Sequence, residues 1–253
     1  SKKNLIIIKF EMKFLKKAIK KTINSFGWEL IKKRIPPEPN PYGEIDIELL
    51  KSINNSKGIL HLGAHRGTEA EVYNWFGKNI VWVEALPEIF SHLKMNLMFY
   101  KNQIPLLALL SDSDNEEINF NVSNHDGACS SMFKFTDEIN KSSMWAYRKY
   151  KMTKEIKLKS ITLDSLLINN QIDPQKYDHW VMDLQGAELK ALKGATNSLK
   201  YCKSIYIEVS TKQFYEDAVT WSELNKWLND NGFFSTKVPN KEEEDILFLK
   251  KNS

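Results

Sequence analysis

The chain has 253 residues, of which 42% are hydrophobic, 11% aromatic and 27% charged. This composition excludes a wholly disordered protein, because enough apolar surface is available to build a large core. Only two cysteines are present, Cys129 and Cys202, which excludes a disulfide scaffold and indicates a reducing compartment. The early apolar run at residues 5–8 is too short for a transmembrane helix and unlike a signal peptide, so we expect a cytoplasmic protein.

The net charge of +4 is distributed unevenly. Residues 1–34 contain eleven lysines and arginines against two glutamates, a net +9, which leaves −5 for residues 35–253. A basic segment on a mildly acidic body predicts that any contact with a membrane surface or another polyanion belongs to residues 1–34. The body is not expected to bind nucleic acid.

Residues 1–34 are predicted to form a basic amphipathic helical arm, because Phe10, Phe14 and Ala18 recur at helical spacing among lysines. Such a helix packs on its own domain or on a partner chain, as in a homodimer, or it lies on a membrane. Packing on protein is favoured, because it is the commoner role of amphipathic helices. Four prolines then predict an extended joint at residues 35–43.

The body, residues 44–253, alternates short apolar runs with helical patterns. Strands are predicted at residues 59–62, 80–83, 106–110, 180–182, 204–209, 233–237 and 246–250. Helices are predicted at residues 68–76, 87–100, 187–199 and 221–231, the first with Thr68 as its N-cap. This alternation predicts an α/β fold with a mostly parallel seven-stranded sheet and helices on both faces. The last strand is expected to be antiparallel, since only a loop separates it from its predecessor.

An insertion is predicted at residues 112–179, between the third and fourth strands. Period-two alternation predicts strands at residues 118–122 and 157–162. The aromatic stretch around Trp145 and Tyr150 fits either a stacking wall for a sugar ring or a small core of the insertion itself.

The first strand runs into a turn with Gly63 and Gly67, which lets a ligand approach the backbone closely. It is not a dinucleotide fingerprint, because His65 stands where the middle glycine is needed. Glu84 ends the second strand at the spacing of a ribose-binding carboxylate. Together these features favour an adenosine ligand without a diphosphate, such as S-adenosylmethionine. A nicotinamide-dependent oxidoreductase or epimerase is the disfavoured alternative.

The fourth strand is followed by Asp183, Gln185 and Gly186, and the fifth contains Glu208 near its end. Ligands of open parallel sheets bind beyond the carboxyl ends of the strands, so these side chains are candidates to meet a substrate. Asp183 also fits the N-cap of the following helix, and the two roles are compatible.

Several runs of this sequence resemble FkbM-type methyltransferases, which use S-adenosylmethionine to O-methylate mostly sugars and related natural products. The resemblance covers roughly residues 57–250, and its most specific part is the last run. The runs are HLGAHRG at 61–67, VEA at 83–85, LLSD at 109–112, ITLDSL at 161–166 and MDLQGAELKALKGA at 182–195.

The resemblance implies a Rossmann-like methyltransferase fold, S-adenosylmethionine as cofactor and a sugar hydroxyl of a glycan or glycoconjugate as acceptor. The cofactor contacts expected here are Gly63, Ala64, His65, Gly67, Glu84, Ser111 and Asp112. The substrate contacts expected here are Asn124, His125, Trp145 and Gln185. Two departures stand out: His61 occupies a position where many members have aspartate, and Gln185 replaces the commoner glutamate, so it cannot act as a catalytic carboxylate.

Methyl transfer to a hydroxyl needs a base, because an alcohol is a poor nucleophile until its proton leaves. Asp183 is the candidate base, with Glu208 as the second catalytic carboxylate. The alternative is that Asp183 and Glu208 hold Mg²⁺, which acidifies the sugar hydroxyls. His125 is a less favoured base. A catalytically inactive member that acts as an assembly partner is the competing function.

Overall fold

A computed structural model describes residues 47–251. The predicted arm and joint, residues 1–34 and 35–43, lie outside the described residues. The helices are α1 (Ile47–Asn55), α2 (Ala70–Trp75), α3 (Pro87–Leu97), α4 (Glu138–Lys141), α5 (Leu163–Asn169), α6 (Glu188–Lys193) and α7 (Trp221–Asp230). The strands are β1 (Gly58–Leu62), β2 (Asn79–Glu84), β3 (Gln103–Leu107), β4 (Leu109–Leu110), β5 (Glu117–Ser123), β6 (Met152–Ile161), β7 (His179–Met182), β8 (Ser204–Ser210), β9 (Phe233–Ser235) and β10 (Glu243–Lys250).

Seven strands form the main sheet in the order β3-β2-β1-β7-β8-β10-β9. The five strands from β3 to β8 are parallel neighbours, and β10 runs antiparallel between β8 and β9. This arrangement confirms the predicted Rossmann-like class, with its mostly parallel sheet and antiparallel last strand. The chain proceeds outward from β1 in one direction and from β7 in the other, so the strand order reverses between these two strands.

Helices cover both faces of the sheet, and this explains why all five residues of β1 are buried. On one face, Leu60 and Trp180 pack in a core cluster with residues of α5, α6 and α7. On the other face, Ile59 and Trp82 pack with residues of α1, α2 and α3. No helix within residues 47–251 is long and apolar enough to cross a membrane.

The predicted third strand at residues 106–110 is wrong in its extent and its pairing. The main sheet ends in β3, whereas β4 joins a second sheet in the order β4-β6-β5. The chain crosses over at Ala108, whose N–H still donates to the Glu84 carbonyl, while the Ser111 N–H donates to Ile161. One continuous apolar run therefore contributes a strand to each of the two sheets. Pro105 is tolerated in β3 because β3 is an edge strand.

The helix after β1 begins later than predicted, and Thr68 is not its N-cap. The Thr68 hydroxyl donates to the Glu69 side chain, and helix α2 starts at Ala70. The helix predicted at residues 187–199 is also shorter, since α6 ends at Lys193 and a separate 3₁₀ turn follows at Ser198–Tyr201. In the insertion, β5 and β6 pair antiparallel and contain most of the two predicted strands.

Gly63 is the position where the fold depends most directly on a missing side chain. Its φ is +88°, and a Cβ there would lie 1.7 Å from the Asp183 carbonyl oxygen. Gly232 has nearly the same φ, +86°, yet a Cβ at Gly232 would meet nothing within 4 Å. Comparison of the two positions therefore distinguishes two costs of a side chain. Strain from positive φ arises at both glycines, whereas a steric clash with neighbouring backbone arises only at Gly63.

We predict that Gly63→Ala destabilises the protein more than Gly232→Ala does. Both substitutions place alanine at positive φ, which costs about 1–2 kcal/mol. Only Gly63→Ala adds an overlap with neighbouring backbone, for which an extra ~1–3 kcal/mol is expected. Urea unfolding monitored by tryptophan fluorescence measures the difference. Equal midpoints for the two variants would contradict this account of Gly63.

Candidate active site

A cleft opens at the carboxyl ends of β1, β2 and β7, where the strand order reverses. Such a reversal creates a crevice beyond the strand ends, the usual binding site of open α/β sheets. The cleft is lined by Gly63, His65, Val83, Glu84, Ala85, Ala108, Leu109, Leu110, Phe120, Gly127, Ala128, Ser130, Met132, Asp183, Leu184, Gln185 and Ala187.

Glu84 fixes the turn after β1 and also faces the cleft. Its carboxylate accepts hydrogen bonds from the backbone N–H of His65 and of Leu86, both at 2.8 Å. His65 takes a positive φ of 44°, so the bond from its N–H helps to hold an uncommon backbone conformation. Burial raises the pKa of Glu84 to about 7, although these N–H groups act in the opposite direction. Each carboxylate oxygen keeps a lone pair for a ligand.

Four polar side chains form a connected network beside the cleft. The Gln185 amide nitrogen donates to Asp183 Oδ1 and, at 3.0 Å, to Glu208 Oε2. The Tyr215 hydroxyl donates to Gln185 Oε1 at 2.5 Å. Because a hydroxyl donor occupies the amide oxygen, the amide nitrogen must face the two carboxylates. Tyr215 thereby sets the orientation of Gln185.

Asp183 and Glu208 are neighbouring carboxylates that the Gln185 amide bridges. Loss of hydration in this crowded site raises the pKa of both groups, and the negative charge of Asp183 raises the pKa of Glu208 further. The hydrogen bond from Gln185 opposes the rise at Asp183. Asp183 is exposed and lines the cleft, whereas Glu208 is half-buried and does not line it, so Asp183 is the candidate base of the two.

The predicted magnesium site does not fit this arrangement. Asp183, Glu188 and Glu208 place carboxylate oxygens within 4.8 Å of one another. However, Glu188 Oε1 accepts the backbone N–H groups of Leu184 (2.8 Å) and Gly186 (3.2 Å). The Gln185 amide lies between the other two carboxylates, where a cation would have to sit. A metal could bind both only after that amide is displaced.

The expected cofactor residues separate into two groups. Gly63, His65 and Glu84 line the cleft, as Asp183 and Gln185 do. Ala64 and Gly67 do not line it: Ala64 is buried in the core beneath the turn, and a Cβ at Gly67 would lie 2.6 Å from Leu93 of α3. The turn therefore contacts the cleft through one side and packs on α3 through the other.

Ser111 and Asp112, expected to contact the cofactor, are not among the residues that line the cleft. The Ser111 N–H donates to the Ile161 carbonyl of the second sheet, and the Asp112 carboxylate pairs with Lys190 Nζ at 3.2 Å. Their contact with the cofactor stays a prediction.

Asn124, His125 and Trp145, expected to contact substrate, also stand outside the cleft lining. Asn124 donates to the Lys149 carbonyl at 3.0 Å, and His125 Nε2 donates to the Arg148 carbonyl at 2.7 Å. These bonds tie two loops of the insertion together. The aromatic stretch forms a small core instead of a stacking wall, and its cluster comprises Cys129, Phe133, Phe135, Ile139, Trp145, Tyr150, Met152, Phe214, Tyr215 and Ala218.

The opposite wall of the cleft was missed by sequence analysis. Leu109 of β4, together with Phe120 of β5 and Met132 from the insertion, supplies apolar surface. Gly127 is part of a turn in which the two preceding residues also have positive φ, and this Asp-Gly turn was the available signal. No motif pointed to Tyr215.

His61, the departure from the family pattern, is a core residue. It is buried, its Nδ1 lies 3.1 Å from the Tyr73 hydroxyl, and its ring stacks on Trp82. Burial lowers its pKa to about 4, so the imidazole is neutral at physiological pH. It supplies no charged contact to the cleft.

A parallel sheet with a glycine turn and a ribose-type carboxylate at its switch point defines a nucleoside-binding α/β enzyme. The sequence matches the model of the methyltransferase FkbM domain over residues 61–235, which is more than half of the chain. The chain belongs to this family and is an S-adenosylmethionine-dependent methyltransferase. No curated protein matches the sequence significantly.

Solved structures of other methyltransferases show a distant likeness. Fibrillarin of Aeropyrum pernix with S-adenosyl-L-methionine is 15% identical, with 79% of this chain and 72% of that chain covered and a TM-score of 0.43. Magnesium protoporphyrin IX methyltransferase of Synechocystis PCC 6803 is 7% identical, with 80% and 78% covered and a TM-score of 0.45. TrmK of M. capricolum with S-adenosyl-homocysteine is 9% identical, with 82% and 67% covered and a TM-score of 0.42.

We predict that cofactor affinity depends on the ionisation of Glu84. Ribose hydroxyls donate to an ionised carboxylate, so binding must release the proton that Glu84 holds below its pKa of about 7. The dissociation constant should rise about tenfold between pH 8 and pH 6. Isothermal titration in two buffers of different ionisation enthalpy measures both the affinity and the released proton.

Glu84→Gln should remove this pH dependence and weaken binding by about 1–3 kcal/mol at pH 8. Glu88→Gln changes an exposed glutamate close in sequence and is the matched control. Unchanged affinity in Glu84→Gln would exclude Glu84 from the cofactor site.

Proposed function

We propose that the chain transfers the methyl group of S-adenosylmethionine to a hydroxyl group of a saccharide. The observation that carries this proposal is the pair of carboxylates, Asp183 and Glu208, joined by the Gln185 amide beside the cleft. An alcohol acceptor requires such a base, whereas a more nucleophilic nitrogen or sulfur acceptor needs it less.

The cleft suits the cofactor in shape and chemistry. Val83, Leu110 and Phe120 offer apolar surface for the adenine, and Glu84 offers acceptors for the ribose hydroxyls. The positive φ of Gly63 and of His65 brings backbone close to the ligand. When bound, S-adenosylmethionine supplies an electrophilic methyl group on a sulfonium centre.

Asp183 is suited to receive the proton of the acceptor hydroxyl. The Gln185 amide donates a hydrogen bond to it, and this interaction holds the carboxylate in one orientation. In-line displacement requires the acceptor oxygen to stand behind the methyl group. Asp183 directly follows β7 and lies beside Gly63, which directly follows β1. Tyr215 supports this geometry through Gln185.

The choice of a saccharide rests on the family resemblance together with the polar rim of the site. Carboxylate and amide groups such as Asp183 and Gln185 are suitable partners for the hydroxyls of a sugar. An oxidoreductase is disfavoured by membership in the FkbM family. A catalytically inactive assembly partner is separated from an enzyme by assay of methyl transfer from labelled cofactor to a panel of glycans.

We predict that Asp183→Asn lowers the rate of methyl transfer by about 10²–10⁴-fold, because the change removes the base and keeps the shape. Cofactor affinity should stay within error of the wild type. The wild-type rate should rise with pH as Asp183 ionises, with an acidic limb shifted above the ordinary range because burial raises the pKa of Asp183. Single-turnover kinetics measure the rate.

Asp126→Asn alters an exposed carboxylate and serves as the control. Near-normal turnover of Asp183→Asn would overturn base catalysis by this residue.

We further predict that chelation leaves the activity unchanged. Protein donors already occupy the carboxylates that Mg²⁺ would need. The assay compares rates after EDTA treatment and after addition of MgCl₂. Loss of activity with EDTA that Mg²⁺ restores would contradict this prediction. It would show that a metal ion displaces the Gln185 amide from between the two carboxylates.

A further inference from the structure

The edge of the main sheet opposite the cleft carries a row of lysines. Parallel strands all start at this edge, and a lysine lies within three residues before the start of each of the five. The antiparallel strand β10 ends at the same edge with a lysine. These residues are Lys57, Lys78, Lys101, Lys176, Lys203 and Lys250.

The row is continuous because the strands that carry it are neighbours. Six adjacent strands at ~4.8 Å spacing place the lysines along about 24 Å. Asp178 is at the same edge, but it is buried and pairs with Lys203 at 3.4 Å. The cleft edge has the reverse character, with Glu84, Asp183 and Glu208 at the strand ends. The body therefore has a basic end and an acidic end.

Large apolar side chains project from the basic end. Trp75, the last residue of α2, is 87% exposed, and Phe99, just after α3, is 82% exposed. The loops that follow these two residues are adjacent, because the Ile80 N–H donates to the Asn102 carbonyl at 2.9 Å. Phe76 and Tyr100 anchor the two loops in the core. Trp75 and Phe99 are thus each next to a residue that packs on the core, and their own rings face solvent.

We propose that this basic end docks on the surface of an anionic lipid bilayer. The exposed Lys101 and Lys176 would lie against acidic headgroups, and Trp75 and Phe99 would enter the interfacial layer. The other ammonium groups contribute positive charge while they bond within the protein: those of Lys78 and Lys250 donate to backbone carbonyls, and that of Lys203 pairs with Asp178. A nucleic acid fits less well, because the row contains lysines and none of the arginines that bind phosphate bidentately. A basic surface from which Trp and Phe side chains project is typical of proteins that lie on a membrane interface.

Docking in this orientation turns the cleft away from the lipid. The strands between the two edges span about 17 Å, taking five residues for β1. Residues 1–34 carry a net positive charge of their own and are a second candidate for lipid binding. The experiment must therefore alter the basic end while leaving the rest of the full chain unchanged.

The test is co-sedimentation of the full chain with phosphatidylcholine vesicles, with and without phosphatidylserine. The wild type should bind the anionic vesicles and bind neutral ones much more weakly. The double variant Trp75→Ser/Phe99→Ser should lower the partition coefficient about tenfold. Val238→Ser is the apolar control, since Val238 is 72% exposed and lies in the loop at the opposite edge.

The charge variant Lys101→Glu/Lys176→Glu should lower binding to anionic vesicles about tenfold, and Lys241→Glu at the opposite edge should not. Circular dichroism and cofactor titration confirm that each variant is folded. Wild-type vesicle binding by both double variants would overturn the proposal and assign any lipid binding to residues 1–34. Loss of RNA binding or of self-association by these variants, with vesicle binding intact, would overturn it too.

Discussion

The close approach of β1 and β7 at their carboxyl ends organises the rest of the site. The Asp183 N–H donates to the Leu62 carbonyl at 3.0 Å, and the lack of a side chain at Gly63 lets the two chains pass in contact. This single meeting places the turn that leads to His65 next to the loop that holds Asp183 and Gln185. The residues proposed to bind the cofactor and the acceptor follow different strands. The contact between the ends of β1 and β7 therefore sets the distance between the two groups.

The second constraint is electrostatic. Buried carboxylates repel one another, and a protein can stabilise such a group with a metal, a proton or hydrogen-bond donors. Here the Gln185 amide is the donor between Asp183 and Glu208, and Tyr215 keeps it from rotating. Replacement of the family's usual glutamate by Gln185 therefore removes one negative charge from the cluster and adds a donor to it. The chemistry that we propose for the site is then that of a hydrogen-bonded base.

Sequence patterns predicted the elements whose secondary structure is specified by a few consecutive residues. The buried run of β1, the glycine turn and the strand before Asp183 each occupy a few consecutive residues with clear turn signals. Residues 106–110 were assigned to one strand because an apolar run does not reveal which sheet it joins. The pairing of β4 with β6 depends on a strand some fifty residues later.

The same limit applies to the cleft wall and to the aromatic residues. Phe120 lines the cleft because the second sheet packs against the end of the first. The alternating pattern of β5 predicts that one face of the strand is buried, but it does not predict what that face packs against. Tyr215 reaches Gln185 across 30 positions of sequence, with no periodicity to connect them. Trp145 was given a substrate role from its residue type, whereas packing with Tyr150 places it in a core.

Pro105 has a consequence beyond its tolerance at the edge of the sheet. The backbone groups of Asn102 and Ala108 bond towards β2, so those of Pro105, an odd number of residues away, face outward. Without an N–H at that position, the outer side of β3 lacks the donor at the middle of its row. An added strand from another molecule would leave a carbonyl unpaired there, so the proline protects the long sheet against edge-to-edge aggregation.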